Sequence, residues 1–151
     1  MPKIDLRASD HSDAPAVLAF WSRAAEDAHR PADSTAAIEA LIDRDPEALI
    51  LAIDLEGVDG HELVGTVIAG WDGWRCHIYR LAVAPDRRRS GIGRLLIQAA
   101  EQRFTRVGGS RVDAMVLDDN ELGHSAWRAN GYAPQAEWSR WVKPLQPSPG
   151  S

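Results

Sequence analysis

The run Leu81-Ala82-Val83-Ala84-Pro85-Asp86-Arg87-Arg88-Arg89-Ser90-Gly91-Ile92-Gly93-Arg94-Leu95-Leu96 carries the parts of an anion site in chain order. An apolar strand ends at Pro85. A short basic loop follows, and two glycines open a helix. The first N–H groups of a helix have no intrahelical partner and carry the positive end of its dipole. Glycines let a phosphate approach those groups, and arginines add charge. The segment is therefore expected to grip a phosphate-bearing ligand through Arg88, Arg89, Ser90, Gly91, Ile92, Gly93 and Arg94. An ordinary basic helix start is the plainer alternative.

Two phosphate loops are excluded by spacing. A dinucleotide turn needs G-x-G-x-x-G directly after its strand, but here Leu96 holds the third glycine position and six residues separate Ala84 from Gly91. A Walker loop needs G-K-[ST], and Gly93 is followed by Arg94-Leu95. What remains is Arg88-x-x-Gly91-x-Gly93, after Leu81-x-Val83-x-Pro85 and before Leu95-Leu96. This resembles the pyrophosphate loop of the GNAT superfamily of acetyl-CoA-dependent N-acetyltransferases, whose signature is Gln/Arg-x-x-Gly-x-Gly/Ala. The resemblance implies acetyl-CoA as co-substrate and no metal. It implies direct attack by a primary amine, of a small molecule or of a protein N-terminus or lysine, in a ternary complex. Carried over, Arg88 to Gly93 hold the pyrophosphate. Leu81 and Val83 bind the pantetheine arm through backbone, and the N–H near Val83 holds the thioester oxygen as it becomes an oxyanion.

The resemblance extends toward the C-terminus. The family often has an Asn after its fifth strand, then a small residue at +3, Tyr at +7, Gly at +11 and an aromatic at +12. This chain has Asn120, Gly123, Trp127, Gly131 and Tyr132. The Asn120 amide is implied to reach the pantetheine. Trp127 departs from the pattern where the family's Tyr often protonates the departing thiolate, because an indole N–H is a donor only. Trp127 is thus expected as packing beside the cofactor. A thiol has a pKa of about 8.5, so a thiolate leaves near neutral pH without a proton. Tyr79 and Tyr132 are alternative acids, although Tyr132 after Gly131 reads first as a core plug.

The nucleophile needs a base, since a lysine-like amine with pKa about 10.4 arrives protonated. Some members of the family place a Glu four residues before the Leu of Leu-x-Val. That position is His77, and histidine titrates near pH 6.5. Period-two alternation sets His77, Tyr79, Leu81 and Val83 on one strand face. General base and structural strand histidine are both open readings of His77. Cys76 alternates away from that face, which argues against a covalent acetyl relay. His11, His29, His61 and His124 lack metal-ligand spacing. Trp21, Glu26, Asp27, Trp71, Trp138 and Trp141 are candidates to line the amine pocket.

These residues need a frame, and the pattern supplies one. Ile4, Leu6 and Ala8 alternate as a first strand, and Ser9 or Asp10 caps a helix over 14–28 with Val17, Leu18, Trp21 and Ala25 on one face. Asp33 or Ser34 caps a second helix to about Ile42. Ala48–Ile53 reads as a strand buried on both faces. Gly57–Gly60 is a turn, Leu63–Trp71 a strand, Asp72-Gly73 a tight turn and Trp74–Val83 a strand. Gly91–Val107 is a helix, Val112–Val116 a strand, Asn120–Asn130 a short helix and Glu137–Val142 a last strand. The fold class is α/β and GNAT-like: a mixed, mostly antiparallel sheet with a central parallel pair and helices on both faces.

Composition agrees with one globular domain, over residues 1–145, with a disordered tail at 146–151. Net charge is −5, from 17 basic and 22 acidic residues, which speaks against nucleic acid as partner. No apolar run has the length of a membrane span, the N-terminus lacks a signal-peptide core, and the single cysteine fits a reducing, cytoplasmic setting. The surplus of tryptophan, 6 residues, leaves a homodimer interface open. Two rivals to the enzyme remain: a non-catalytic acyl-CoA-binding sensor and a nucleotide-binding module.

Overall fold

A computed structural model of the chain describes residues 3–24 and 32–146. Its strands are β1 (Ile4–Ala8), β2 (Leu49–Asp54), β3 (Glu62–Trp71), β4 (Cys76–Val83) and β5 (Val112–Ala114). Its helices are α1 (Ala14–Ala24), α2 (Thr35–Arg44), α3 (Ile92–Arg106) and α4 (Glu121–Ala129). Local chemistry starts the helices where the sequence expects. The Asp10 carboxylate accepts from the Ser12 N–H, and Asp13 accepts from the Asp10 N–H, a reciprocal cap that leads through a 3-10 turn into α1. The Ser34 hydroxyl accepts from the Ala37 N–H at 3.0 Å and caps α2.

The sheet runs β1-β2-β3-β4-β5, antiparallel except for the parallel pair β4–β5. Leu49, Leu51, Ala52 and Ile53 of β2 are all buried, as a strand covered on both faces requires. Two contacts on β3 show what covers each face. The Trp21 indole of α1 donates to the Thr66 hydroxyl at 2.8 Å. A Cβ placed on the adjacent Gly65 would lie 2.8 Å from Leu96 and 3.0 Å from Ile92, both of α3. Adjacent strand residues point to opposite faces, so α1 and α3 lie on opposite sides. Phe20 anchors the first layer and Phe104 the second; both are fully buried, each stabilising by about 1.5–3 kcal/mol.

Three expectations need correction. The strand expected at 137–142 is absent: Trp138, Trp141 and Val142 are 75%, 93% and 75% exposed, in irregular chain. Its neighbour β5 offers only three residues of ladder, and Pro134 and Pro144 bracket the segment without an N–H to donate. Among the described residues β5 is therefore the last strand, and the parallel pair ends the sheet. Val116 lies beyond β5. Trp74 does not open β4, because the Asp72 carboxylate takes the N–H groups of Trp74 and Arg75 and holds them in the turn. Ala25, Glu26, Asp27 and His29 lie outside the described residues, as do residues 147–151.

Candidate active site

β4 and β5 pair only where Cys76, His77 and Ile78 meet Val112, Asp113 and Ala114. Beyond Ile78, β4 has no strand partner on that side among the described residues. The same stretch carries a bulge: β3 pairs Ile68 with Tyr79 but Thr66 with Ala82, so Val67 faces both Arg80 and Leu81. Arg80 takes φ +53, and its carbonyl accepts from the Thr66 hydroxyl at 2.9 Å. The Ala84 N–H donates to the Val64 carbonyl at 2.9 Å. Antiparallel ladders alternate, so the N–H and C=O of Val83 turn to the open edge.

The bulge corrects the expected face. His77 and Tyr79 pair with Gly70 and Ile68, on the face that Thr66 shares with α1. Val83 pairs with Gly65 on the α3 face, and a Cβ on Gly93 would touch it at 3.7 Å. Leu81 follows Val83 by alternation. One extra residue thus moves Leu81 and Val83 to the face opposite His77 and Tyr79. Cys76 is buried on the α3 face, against Gly109.

The basic loop divides into an anchor and a free set. Arg87 is turned inward, 2.5 Å from the Asp54 carboxylate and 3.3 Å from Glu62. It holds the Asp54 carboxyl below the usual carboxylate range, helped by the Glu56 N–H. The Ser90 hydroxyl donates to the Arg87 carbonyl. Arg88, Arg89 and Arg94 are exposed, and no acidic side chain among the described residues pairs with them. Gly91 starts α3 at φ +89 with no side-chain cap, and the first helical bond runs from Leu95 to Gly91. The N–H groups of Ile92, Gly93 and Arg94 therefore lack a partner inside the helix. Ile92 contributes backbone only, since its side chain is buried.

At the paired end, His77 Nδ1 lies 2.5 Å from Asp113 Oδ1 across the two strands. Sequence reading missed Asp113; only the parallel register that pairs it with His77 reveals it. Tyr79 lies against Gly70, where a Cβ would come within 2.8 Å of its ring. Burial, then the charge of Asp45, raises the Tyr79 phenol.

On α4, the Asn120 side-chain oxygen accepts from the Gly123 N–H at 3.0 Å and caps the helix. This explains a small residue at +3 and leaves the Asn120 amide N–H groups as the donors. Trp127 is half-buried and meets Tyr132 edge-on, with centroids 4.9 Å apart at 72°. The Tyr132 hydroxyl donates to Glu101 at 2.8 Å. Burial and that carboxylate push its pKa far above the phenol range, so Tyr132 ties α4 to α3 and is a poor acid. Trp21 is buried in the core under Arg80, Trp71 is half-buried, and Trp138 and Trp141 stand exposed. The described residues hold no group of three or more His, Cys, Asp or Glu fit for a metal, and no helix long and apolar enough to cross a membrane.

The model of the Acetyltransferase (GNAT) family matches residues 14–132. An acetyltransferase of Sodalis glossinidius is 32% identical over 133 residues, 87% of this chain and 89% of the relative. Ard1 from Thermoplasma volcanium superposes with a TM-score of 0.71 at 20% identity, over 86% of this chain and 82% of that one. AAC(6')-Iy, in complex with the bisubstrate analog CoA-S-monomethyl-acetylneamine, gives 0.68 at 17% identity, over 97% and 99%. The two structures share the fold.

Proposed function

The chain belongs to the GNAT family of acetyltransferases, and from that premise we propose that it transfers the acetyl group of acetyl-CoA to a primary amine by direct attack in a ternary complex. The observation that carries the donor assignment is the start of α3. Uncapped N–H groups from Ile92 to Arg94 sit beside Arg88, Arg89 and Arg94, none of them engaged by an acidic side chain among the described residues. Such a cradle suits a pyrophosphate. AAC(6')-Iy, solved with a CoA-based analog, has the same fold, which supports a CoA thioester as donor.

The rest of the machinery follows from the open edge of β4. Leu81 and Val83 would bond the pantetheine arm, and the outward Val83 N–H would hold the oxyanion. The Asn120 amide would donate to the same arm, with Trp127 packed beside it. His77 would accept the proton from the amine. As the C–N bond forms, the C–S bond breaks and its electron pair leaves on sulfur. A thiol pKa of about 8.5 makes that departure feasible without an acid. The acceptor is a small-molecule amine or a protein N-terminus or lysine.

A second reading, a non-catalytic acyl-CoA sensor, is favoured by one observation: Trp127 stands where a proton donor is usual. An amine panel incubated with acetyl-CoA and read by mass spectrometry separates the two. Acetylated product with stoichiometric free CoA supports the enzyme. CoA binding without product from any amine supports the sensor.

A further inference from the structure

His77 and Asp113 are register partners on neighbouring parallel strands, with Nδ1 2.5 Å from Oδ1. They are 37% and 51% exposed, so the pair opens to solvent at the fork between β4 and β5. A neutral imidazole carries one proton, and the bond made by one ring nitrogen decides which nitrogen holds it. An ionised carboxylate only accepts. A carboxylate at Nδ1 therefore places the proton there and leaves Nε2 with its lone pair. Nε2 has no hydrogen-bond partner among the described residues.

We propose that Asp113 is the positioning residue of the acetyl-transfer site: its carboxylate holds His77 as the Nδ1–H tautomer and presents bare Nε2 to the amine. The inference rests on His77 being the base of the transfer reaction proposed above. The proton leaves the attacking amine for Nε2 as the C–N bond forms, and the resulting imidazolium is paired with the Asp113 carboxylate. Other ionisable groups lie near the pair: the Cys76 thiol, raised first by burial, also feels the charges of Asp113 and Asp72. Asp72, in the turn between β3 and β4, interacts with His77 through charge. Tyr79 shares its strand and face, and Asp45, after α2, acts on that phenol. Among these, Asp113 is the group bonded to the ring.

The test compares wild type with Asp113→Asn, Asp113→Glu and His77→Ala by nitrogen-15 NMR of the imidazole and by pH–rate profiles with acetyl-CoA and a reactive amine. Asparagine can offer an N–H to Nδ1 and so release the tautomer. The wild type is expected to hold Nδ1–H and bare Nε2. Asp113→Asn is expected to lose that preference and to lower kcat by about ten-fold or more, with KM for acetyl-CoA nearly unchanged. The acidic limb of the pH–rate profile is expected to move as well. Asp113→Glu should recover part of kcat. An Nε2-protonated wild-type ring overturns the proposal. So does a tautomer that changes in Asp113→Asn while kcat and the pH profile do not; His77 is then not the base, although acetyl transfer itself stands. Because the tautomer is read without turnover, failure of the transfer reading is seen separately, as an absence of product in wild type.

Discussion

The Arg87 guanidinium lies 2.5 Å from the carboxylate of Asp54, at the end of β2, and the pair joins the basic loop to the sheet. The Asp54 side chain is 5% exposed. Arg87 is thus part of the scaffold, and the arginines left to meet an anion are its neighbours in the loop and at the start of α3. Removing Arg87 would leave a buried carboxylate without its cation, which costs more than the lost contact alone. Arg87→Leu should therefore lower the melting temperature and weaken coenzyme A binding through loss of loop geometry.

Acid should act on the same pair. The Asp54 pKa lies below its unfolded value of about 3.9. Its contribution to stability is then fully present above that value and is lost as pH falls through the folded pKa. Thermal melts of wild type from about pH 6 to about pH 2 should show this loss among others. In Asp54→Asn that part of the decline should be absent and stability at neutral pH lower. Identical pH dependence in the two proteins would mean that the pair does not hold in solution.

The two glycines of the loop should respond with opposite sign. Gly91 sits at φ +89, where an L side chain costs about 1–2 kcal/mol. Gly93 is in the first turn of α3, without positive φ, and a Cβ there makes only an ordinary 3.7 Å contact with Val83. Chemical denaturation should show Gly91→Ala less stable than wild type by about 1–2 kcal/mol. Gly93→Ala should be more stable by up to about 1 kcal/mol. The fold needs the first glycine and not the second.

Trp127→Tyr should leave turnover flat or lower it between about pH 6.5 and pH 9, the range that brackets the thiol pKa. Trp127 meets Tyr132 edge-on and packs against the core, so the smaller ring should also cost some stability, less than the few kcal/mol of a full truncation. A several-fold gain in turnover, largest at the acidic end, would instead show that the reaction is limited by protonation of the leaving group.

Much of this was legible in the sequence because local rules set it. Asp10 and Ser34 cap their helices through short-range bonds, and Gly131 takes positive φ as its place just after a helix suggests. Non-local register was not legible. The bulge at Arg80 breaks strict alternation, so His77 and Val83 occupy opposite faces although they are six residues apart. Asp113 looked like any exposed strand residue until the parallel pairing set it beside His77. The spacing of Glu137–Val142 looked like a strand, but a strand needs a ladder, and three-residue β5 does not extend one to it. The ion pair of Arg87 with Asp54 was not legible either, because the two lie 33 residues apart in sequence.

If the start of α3 holds the pyrophosphate of coenzyme A, calorimetric titration of coenzyme A into wild type and Gly93→Asp will show it. The variant adds a carboxylate at the cradle while the backbone there tolerates a side chain. Acidic residues suit the first turn of a helix, contributing about 0.3–1 kcal/mol, so the variant should fold and melt at or above the wild-type temperature. Wild type should bind, and folded Gly93→Asp should bind at least about ten-fold more weakly, a loss of about 1.4 kcal/mol or more. Equal affinity in a folded Gly93→Asp would contradict the pyrophosphate assignment and, with it, acetyl-CoA held at this loop.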